Sequence, residues 1–593
     1  NDPFYATLQW GLPKISMPLA WDNQRGSGSV VAAVLDTGAN VSHREFSPNL
    51  NVNYHNFVDG SSNVADFFPY HGSNVATIIG AQGNNSLYFT GVAWDVSLMF
   101  LKVFPNGGGG ADTADIISAM TWAQNHGATA MNLSFGAPHC TQVHCDYETD
   151  PPTCDCIGQW TLDLSLQDAM RSARDHNVVA VCAAGNDGTS NDTIPFAPAG
   201  LPQDNVISVA ASDQNDARAI FSVGSSNVGF KSVDLAAPGK GIYGVTQNDD
   251  GSYLPFDGTS QAAPHVTGAI ALLKSEYGWE DYYGLRDRVL MATDSLSWGT
   301  SLRSGGRLNV NKALQPRTLI RNISTRARVE NGDKILIGGF IISNTTNGAG
   351  RLKVAIRGLG PSLQGLSVAK LANPKITLKN SSGQTIYSND NYTTLPTSQL
   401  NDLSANGLTP TNSVEAAMVC AGSGGATGCD ALAPGAYTVF LESSTGSSFG
   451  VGLFDLYELE GGLDEQTRLV NVSARCKVGT GDEVAIAGVN LGNPAPVNKR
   501  SLLMFGKGPS LGIAGYLANP FLTLKNSAGT TISTNDSWGN LAKPLDELIE
   551  ENLDPTSSVE SALWPILASG TYTAILNGVS NGTGIGLIEM YEH

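Results

Sequence analysis

At 593 residues the chain exceeds what one hydrophobic core usually organises, so two to four domains are expected. A composition of 41% hydrophobic and 15% charged residues with 67 glycines excludes a disordered or fibrous protein and points to packed domains rich in turns. The formal charge of −19 argues against binding to nucleic acid or anionic membranes, and no apolar run is long enough to span a bilayer.

The sequence opens at Asn1 without a methionine. It reads as a mature, secreted form from which a signal peptide and a pro-segment that aids folding have been removed. From residue 29 to 314, short apolar runs alternate with helix-length segments, the pattern of βα units around a parallel sheet. Buried strands are expected at 30–35, 98–103, 128–133, 178–183 and 206–210. Helices are expected at 71–80, 113–125, 162–176 and 260–277.

Eight cysteines are spread unevenly. Cys140, Cys145, Cys154 and Cys156 share one loop and read as disulfide partners, with three pairings open. A zinc site that includes His139 and His144 is the alternative, disfavoured because the C-x-C end lacks the usual C-x2-C knuckle. Cys420 and Cys429 bracket a Gly-rich turn and are a further disulfide candidate. Cys182, in an apolar run, reads as a buried free thiol, and Cys476 has no local partner.

Beyond residue 314, turns rich in Gly, Ser, Asn and Thr separate short alternating strands, which indicates an all-β region of sandwich or jelly-roll type. It repeats. Segment 371–374 followed by 377–380 matches 517–520 followed by 523–526, and 360–363 matches 508–511. Likewise 413–415 matches 558–560 and 450–457 matches 584–591. The expected domains are therefore 1–314 (α/β), 315–462 (first β repeat) and 463–593 (second β repeat).

Three segments carry candidate chemistry. Val34-Leu35-Asp36-Thr37-Gly38 places a carboxylate at a strand end before a turn. His71-Gly72-Ser73-Asn74-Val75-Ala76 begins a helix with a histidine. Gly258-Thr259-Ser260-Gln261-Ala262-Ala263-Pro264 puts a serine at another helix start, where a plain N-cap is the bland reading.

Together these segments resemble the subtilisin family, the subtilases: Asp-Thr-Gly, then His-Gly-x-x-Val, then Gly-Thr-Ser-x-Ala-x-Pro, in the chain order Asp, His, Ser. Gly91-Val92-Ala93, Leu101-Lys102-Val103, 131–136, 183–187 and 234–239 fall in subtilase order as well. The resemblance covers about residues 20–314. It implies a subtilisin-like fold, a mainly parallel sheet flanked by helices, and a serine endopeptidase that needs no cofactor for catalysis. It also assigns roles: Ser260 as nucleophile, His71 as general base, Asp36 as its orienting carboxylate, and Asn186 with the Ser260 N–H as oxyanion donors.

By the same resemblance an extended polypeptide substrate would lie between Gly107, Gly108, Gly109 and Gly110 on one side and Ser134, Phe135 and Gly136 on the other. A structural calcium is expected near 84–86, with Asp2, Glu45 and Asn85 as ligands. Two departures from the family pattern are Ser73-Asn74 where Thr-His is usual, and Gln261 where Met is usual. Competing readings are a narrow-specificity processing protease and a binding or adhesion protein on an inactive scaffold. Asn389-Asp390 and 535–538 are candidate ligand sites in the repeats, set against ordinary turns. Oligomeric state and the preferred side chain at the cleaved bond are not encoded in any recognisable pattern.

Overall fold

The computed structural model describes residues 1–138, 163–344, 350–422, 429–459, 466–492, 499–541, 548–549 and 552–592, with the backbone of two short strands at Val143–Asp146 and Thr153–Cys156. The chain divides into two compact units, 1–315 with 546–552, and 316–545 with 553–593.

The first unit is built on a nine-stranded sheet: β1 (Val31–Asp36), β2 (His55–Asn56), β3 (Ser97–Lys102), β4 (Ala128–Leu133), β5 (Val179–Ala183), β6 (Val206–Ser212), β7 (Leu235–Pro238), β8 (Thr293–Ser295) and β9 (Gly306–Leu308). They lie in the order β8-β9-β7-β6-β5-β4-β1-β3-β2, and every pair is parallel except β8–β9. β5 and β6 are buried at every position, so their Val-, Ala- and Ile-rich runs do not alternate. Two amphipathic helices cover one face. In α2 (Thr113–Asn125), Ile116, Ala119, Met120 and Ala123 are buried at helical spacing, and in α3 (Leu164–Asp175), Leu166, Ala169, Met170 and Ala173 are. Both stripes join one core with Met99 of β3 and Met131 of β4. Each helix is started by an aspartate whose side chain accepts the first free N–H groups: Asp112 for α2 and Asp163 for α3.

Two further helices position the site. α1 (His71–Gly80) is buried along nearly its whole length. α4 (Thr259–Glu276) is buried without interruption from Gln261 to Leu273, and it packs against β4, β5 and β6. The expected strands and helices occur within two residues of the expected bounds; the helix expected at 162–176 runs from Leu164 with Asp163 as its cap. Strands β7 to β9 and the helix Tyr282–Met291 were not anticipated as elements, because they are short or lack a clean apolar period. β1, the first strand in sequence, lies inside the sheet between β3 and β4. The chain thus fills one side of β1 and then crosses to the other. Such a reversal opens a crevice at the carboxyl ends of the strands.

The second unit is antiparallel apart from short parallel pairings, and its strands alternate buried and partly exposed residues, as in Leu336–Asn344 and Ala485–Gly492. The sequence repeat reappears as repeated pairing. Leu319–Val329 pairs with Gly450–Glu458 as Thr467–Val478 pairs with Gly584–Glu592. Leu336–Asn344 pairs with Gly435–Ser443 as Ala485–Gly492 pairs with Gly570–Gly578. The copies also exchange strands: Leu319–Val329 pairs with Ala485–Gly492, and Leu336–Asn344 with Thr467–Val478. One core therefore takes Ile323, Phe340 and Phe454 from the first copy and Val472, Ala487 and Met504 from the second. The two copies share this core instead of closing two.

Cys420 and Cys429 form a disulfide, and Cys182 and Cys476 are buried free thiols. Burial pushes both thiols up, that of Cys476 to about 12, which keeps them unreactive. In the cysteine-rich loop, Val143–Asp146 pairs antiparallel with Thr153–Cys156. Its disulfide pairing and the alternative involving His139 and His144 lie outside the described residues, as do the side chains of Cys140, Cys145, Cys154 and Cys156.

Candidate active site

Asp36 is the last residue of β1 and is 1% exposed; His71 is the first residue of α1. His71 Nδ1 and Asp36 Oδ1 are 2.8 Å apart. A carboxylate can only accept, so Nδ1 carries the proton and Nε2 is left as the ring's basic atom. Burial lowers the His71 pKa, but the charge and hydrogen bond of Asp36, aided by Asp66, outweigh it and the net direction is upward. The ring also meets the edge of Phe256, with centroids 5.9 Å apart.

Ser260 is the second residue of α4. Its Oγ donates to the backbone carbonyl of Ser134 at 2.9 Å, and Ser134 Oγ donates back to the Ser260 carbonyl at 2.7 Å. The second bond has a local cause. Four residues on, Pro264 has no N–H, so the helix itself supplies no partner for that carbonyl. Among the described hydrogen bonds none joins Ser260 Oγ to His71 Nε2, and free enzymes commonly hold this contact loosely.

Asn186 follows the end of β5. Its Oδ1 accepts from Thr259 N at 2.9 Å and Thr259 Oγ1 at 3.0 Å, and Thr259 Oγ1 also accepts from Gly185 N. With its oxygen fixed this way, Asn186 keeps Nδ2 as a donor next to the start of α4. An ideal Cβ on Gly258 would lie 3.4 Å from that nitrogen.

Gly110, Phe135 and Gly136 line a pocket of about 250 Å³ together with Phe104, Ile116 and Leu166. Phe104 and Phe135 meet edge to face at 5.4 Å. Ser134 stands beside Ser260 instead, and Gly107, Gly108 and Gly109 form an exposed turn with φ of 95°, 92° and 114°. Pro138 and Asp163, which flank the cysteine-rich loop in sequence, also border the pocket.

The expected calcium ligands are brought together but face the wrong chemistry. Asp2 accepts the backbone N–H groups of Asn84, Asn85 and Ser86. Glu45 Oε1 accepts those of Tyr88 and Phe89, and Asn85 Nδ2 donates to Glu45 Oε2. The loop thus turns N–H donors inward where calcium would need six to eight oxygens. As arranged, these residues do not fit the ion, and among the described residues no group of three or more His, Cys, Asp or Glu is arranged to hold a metal.

Asp66 went unrecognised in the sequence, and Thr37, Ser73 and Lys102 stood in noted motifs without a role of their own. Thr37 Oγ1 donates to Asp66 Oδ1, Ser73 donates to Asp66 Oδ2, and Lys102 Nζ donates to the Thr37 carbonyl. The available signal was an aspartate in an apolar stretch shortly before His71.

Residues 26–314 match the Subtilase family. Thermitase from Thermoactinomyces vulgaris is 33% identical over 315 residues, which cover 53% of this chain and 99% of thermitase. Subtilisin BL from Lederbergia lenta is 30% identical over 308 residues, 52% of this chain and 98% of its own. A solved structure described as proteases from Pseudoalteromonas arctica is 25% identical, with a TM-score of 0.44 over 53% of this chain and 98% of that one. The family match ends at residue 314, before the β repeats. With nearly the whole length of thermitase spanned at this identity, the chain belongs to the subtilase family and is a serine endopeptidase that acts on polypeptides.

Proposed function

We propose that Asp36, His71 and Ser260 are the catalytic triad of a secreted endopeptidase, with Asn186 Nδ2 and the Ser260 N–H as its oxyanion donors. The observation that carries this reading is the 2.8 Å contact of His71 Nδ1 with Asp36 Oδ1 at the reversal point of the sheet. His71 Nε2 takes the Ser260 proton as Oγ attacks the peptide carbonyl, and returns it to the leaving amine. Asp36 stabilises the imidazolium that forms between these steps. Water then attacks the acyl-enzyme with the same base. The negative oxygen of each tetrahedral intermediate meets Asn186 Nδ2 and the first turn of α4, whose helix dipole favours negative charge.

Gly107, Gly108, Gly109 and Gly110 and residues Ser134, Phe135 and Gly136 form the two edges between which substrate extends. The pocket between Phe104 and Phe135 takes an apolar substrate side chain, which its aromatic and aliphatic lining supports. Residues 1–314 are the peptidase domain, and 315–462 and 463–593 are two repeats that bind substrate or a surface. Ile386 and Ile532, at matching places in the two copies, stay 36% and 43% exposed and are the contact residues this reading assigns to each copy. This reading gives calcium no role at Asp2, Glu45 and Asn85.

The test compares wild type and Ser260→Ala with a fluorophosphonate probe and a mixture of proteins, with cleavage sites read by mass spectrometry. Labelling and broad cleavage by wild type alone are expected. Activity retained in Ser260→Ala would sink the triad.

A further inference from the structure

We propose that Asp66 is a positioning residue of this peptidase: its carboxylate clamps the backbone that follows Asp36 to the backbone that follows His71. The inference rests on the triad reading above.

Asp66 lies in the loop before α1 and is 6% exposed. Of its four donors one comes from the Asp36 segment, two come from the His71 segment and one from its own loop. Oδ1 accepts from Thr37 Oγ1 at 2.7 Å and from Phe67 N at 2.9 Å. Oδ2 accepts from Ser73 N at 2.9 Å and from Ser73 Oγ at 2.7 Å. Thr37 follows Asp36 directly, and its Oγ1, having given its proton to Asp66, accepts from Gly72 N at 2.9 Å. One carboxylate therefore fixes residue 37 against residues 72 and 73. The approach is close enough that a Cβ on Gly72 would fall 2.2 Å from the Gly38 carbonyl oxygen. A group with four donors and no proton to give is matched by a carboxylate and not by an amide.

Charged groups surround that carboxylate. Lys102 of β3 is 1% exposed, donates to the Thr37 carbonyl, and feels Asp66, Asp36 and the exposed Asp59. The charged and titratable groups around Asp66 are thus Asp36 from β1, His71 from α1, Lys102 from β3 and Asp59 from its own loop. Burial raises the Asp66 pKa, against its hydrogen bonds to Ser73 and Thr37, and its charge in turn helps to raise that of His71. Two effects follow from removing the charge: the Asp36–His71 geometry loosens, and the His71 pKa falls.

The experiment measures kcat, KM and the pH profile of peptide hydrolysis, per active site titrated by fluorophosphonate, for wild type, Asp66→Asn, Thr37→Val and Thr37→Ser, and hydrolysis per mole of protein for Ser260→Ala. Asp66→Asn is expected to lower kcat by on the order of 10- to 100-fold, the scale of a small misplacement of reacting groups, with KM little changed. Its acid limb is expected to move to lower pH. Thr37→Val should lose activity in the same way, and Thr37→Ser, which keeps the hydroxyl, should restore it. A purely structural Asp66 would reduce the number of titratable sites and leave kcat per site and the acid limb at wild-type values; that result overturns the proposal. If Asp66→Asn does not fold, equal kcat per site in Thr37→Val and Thr37→Ser overturns it. Activity retained in Ser260→Ala would instead remove the triad reading, whatever the Asp66 variant does.

Discussion

The two units bury polar groups in opposite ways. In the peptidase unit Asp36, Lys102 and Ser134 are buried at the carboxyl ends of neighbouring strands with Asp66 of the loop before α1, and three of their partnerships cross between distant segments. In the β unit one buried carboxylate recurs in both copies. Glu415 accepts from Gly360 N, Ser362 N and Ser362 Oγ, and Glu560 accepts from Gly508 N, Ser510 N and Ser510 Oγ. A buried group that recurs at the same place in both copies, on the same turn, is holding the fold. The lesson is that burial of charge alone does not mark a site; a cluster without a counterpart, at a strand-end crevice, does.

Substitutions can test that division, and the largest effect belongs to the peptidase unit. Asn186→Ala should lower kcat by about 10²–10³, the scale known for the equivalent donor in subtilisin, with KM nearly unchanged. Steady-state kinetics per titrated site reads it; a loss below threefold would remove Asn186 from the oxyanion hole. Phe454→Ala empties a fully buried site in the shared β core and should cost the second unit about 3–5 kcal/mol in denaturant unfolding. Unchanged kcat on a short peptide would sharpen the division, and a parallel loss of kcat would break it. The smallest effect is a matter of pH. Because Asp36 lifts the His71 pKa, the base becomes protonated and kcat/KM starts to fall at a pH above the ordinary histidine value of about 6.5, then drops roughly tenfold per unit. An acid limb centred well below that value would contradict the charge coupling.

The units also differ in how openly their sequences read. The βα alternation and the buried strands of the first unit were visible because each element carries its own apolar period and flanking turn residues. The repeats of the second were visible because matched motifs recur in order. Asp36, His71, Ser260 and Asn186 were nameable as candidates because each sits in a short motif whose neighbours set its local backbone. Asp66 was not, because its partners Thr37 and Ser73 belong to other segments and nothing adjacent to Asp66 announces them. The calcium expectation was drawn from the family resemblance and from side-chain types. The direction of the loop's N–H groups, which decides against the ion as arranged, is a property of its backbone.

The sequence by itself determined the order of the three motif segments, the α/β character of the first half and the presence of two β copies, since all three are written in local pattern and spacing. Only the tertiary structure decided that the β copies exchange strands around one core, that Pro264 leaves the Ser260 carbonyl to Ser134, and that Asp66 joins the aspartate and histidine turns. Each of these depends on hydrogen bonds between residues far apart in the chain. Local propensity carries no record of such bonds until the sheet brings their partners together.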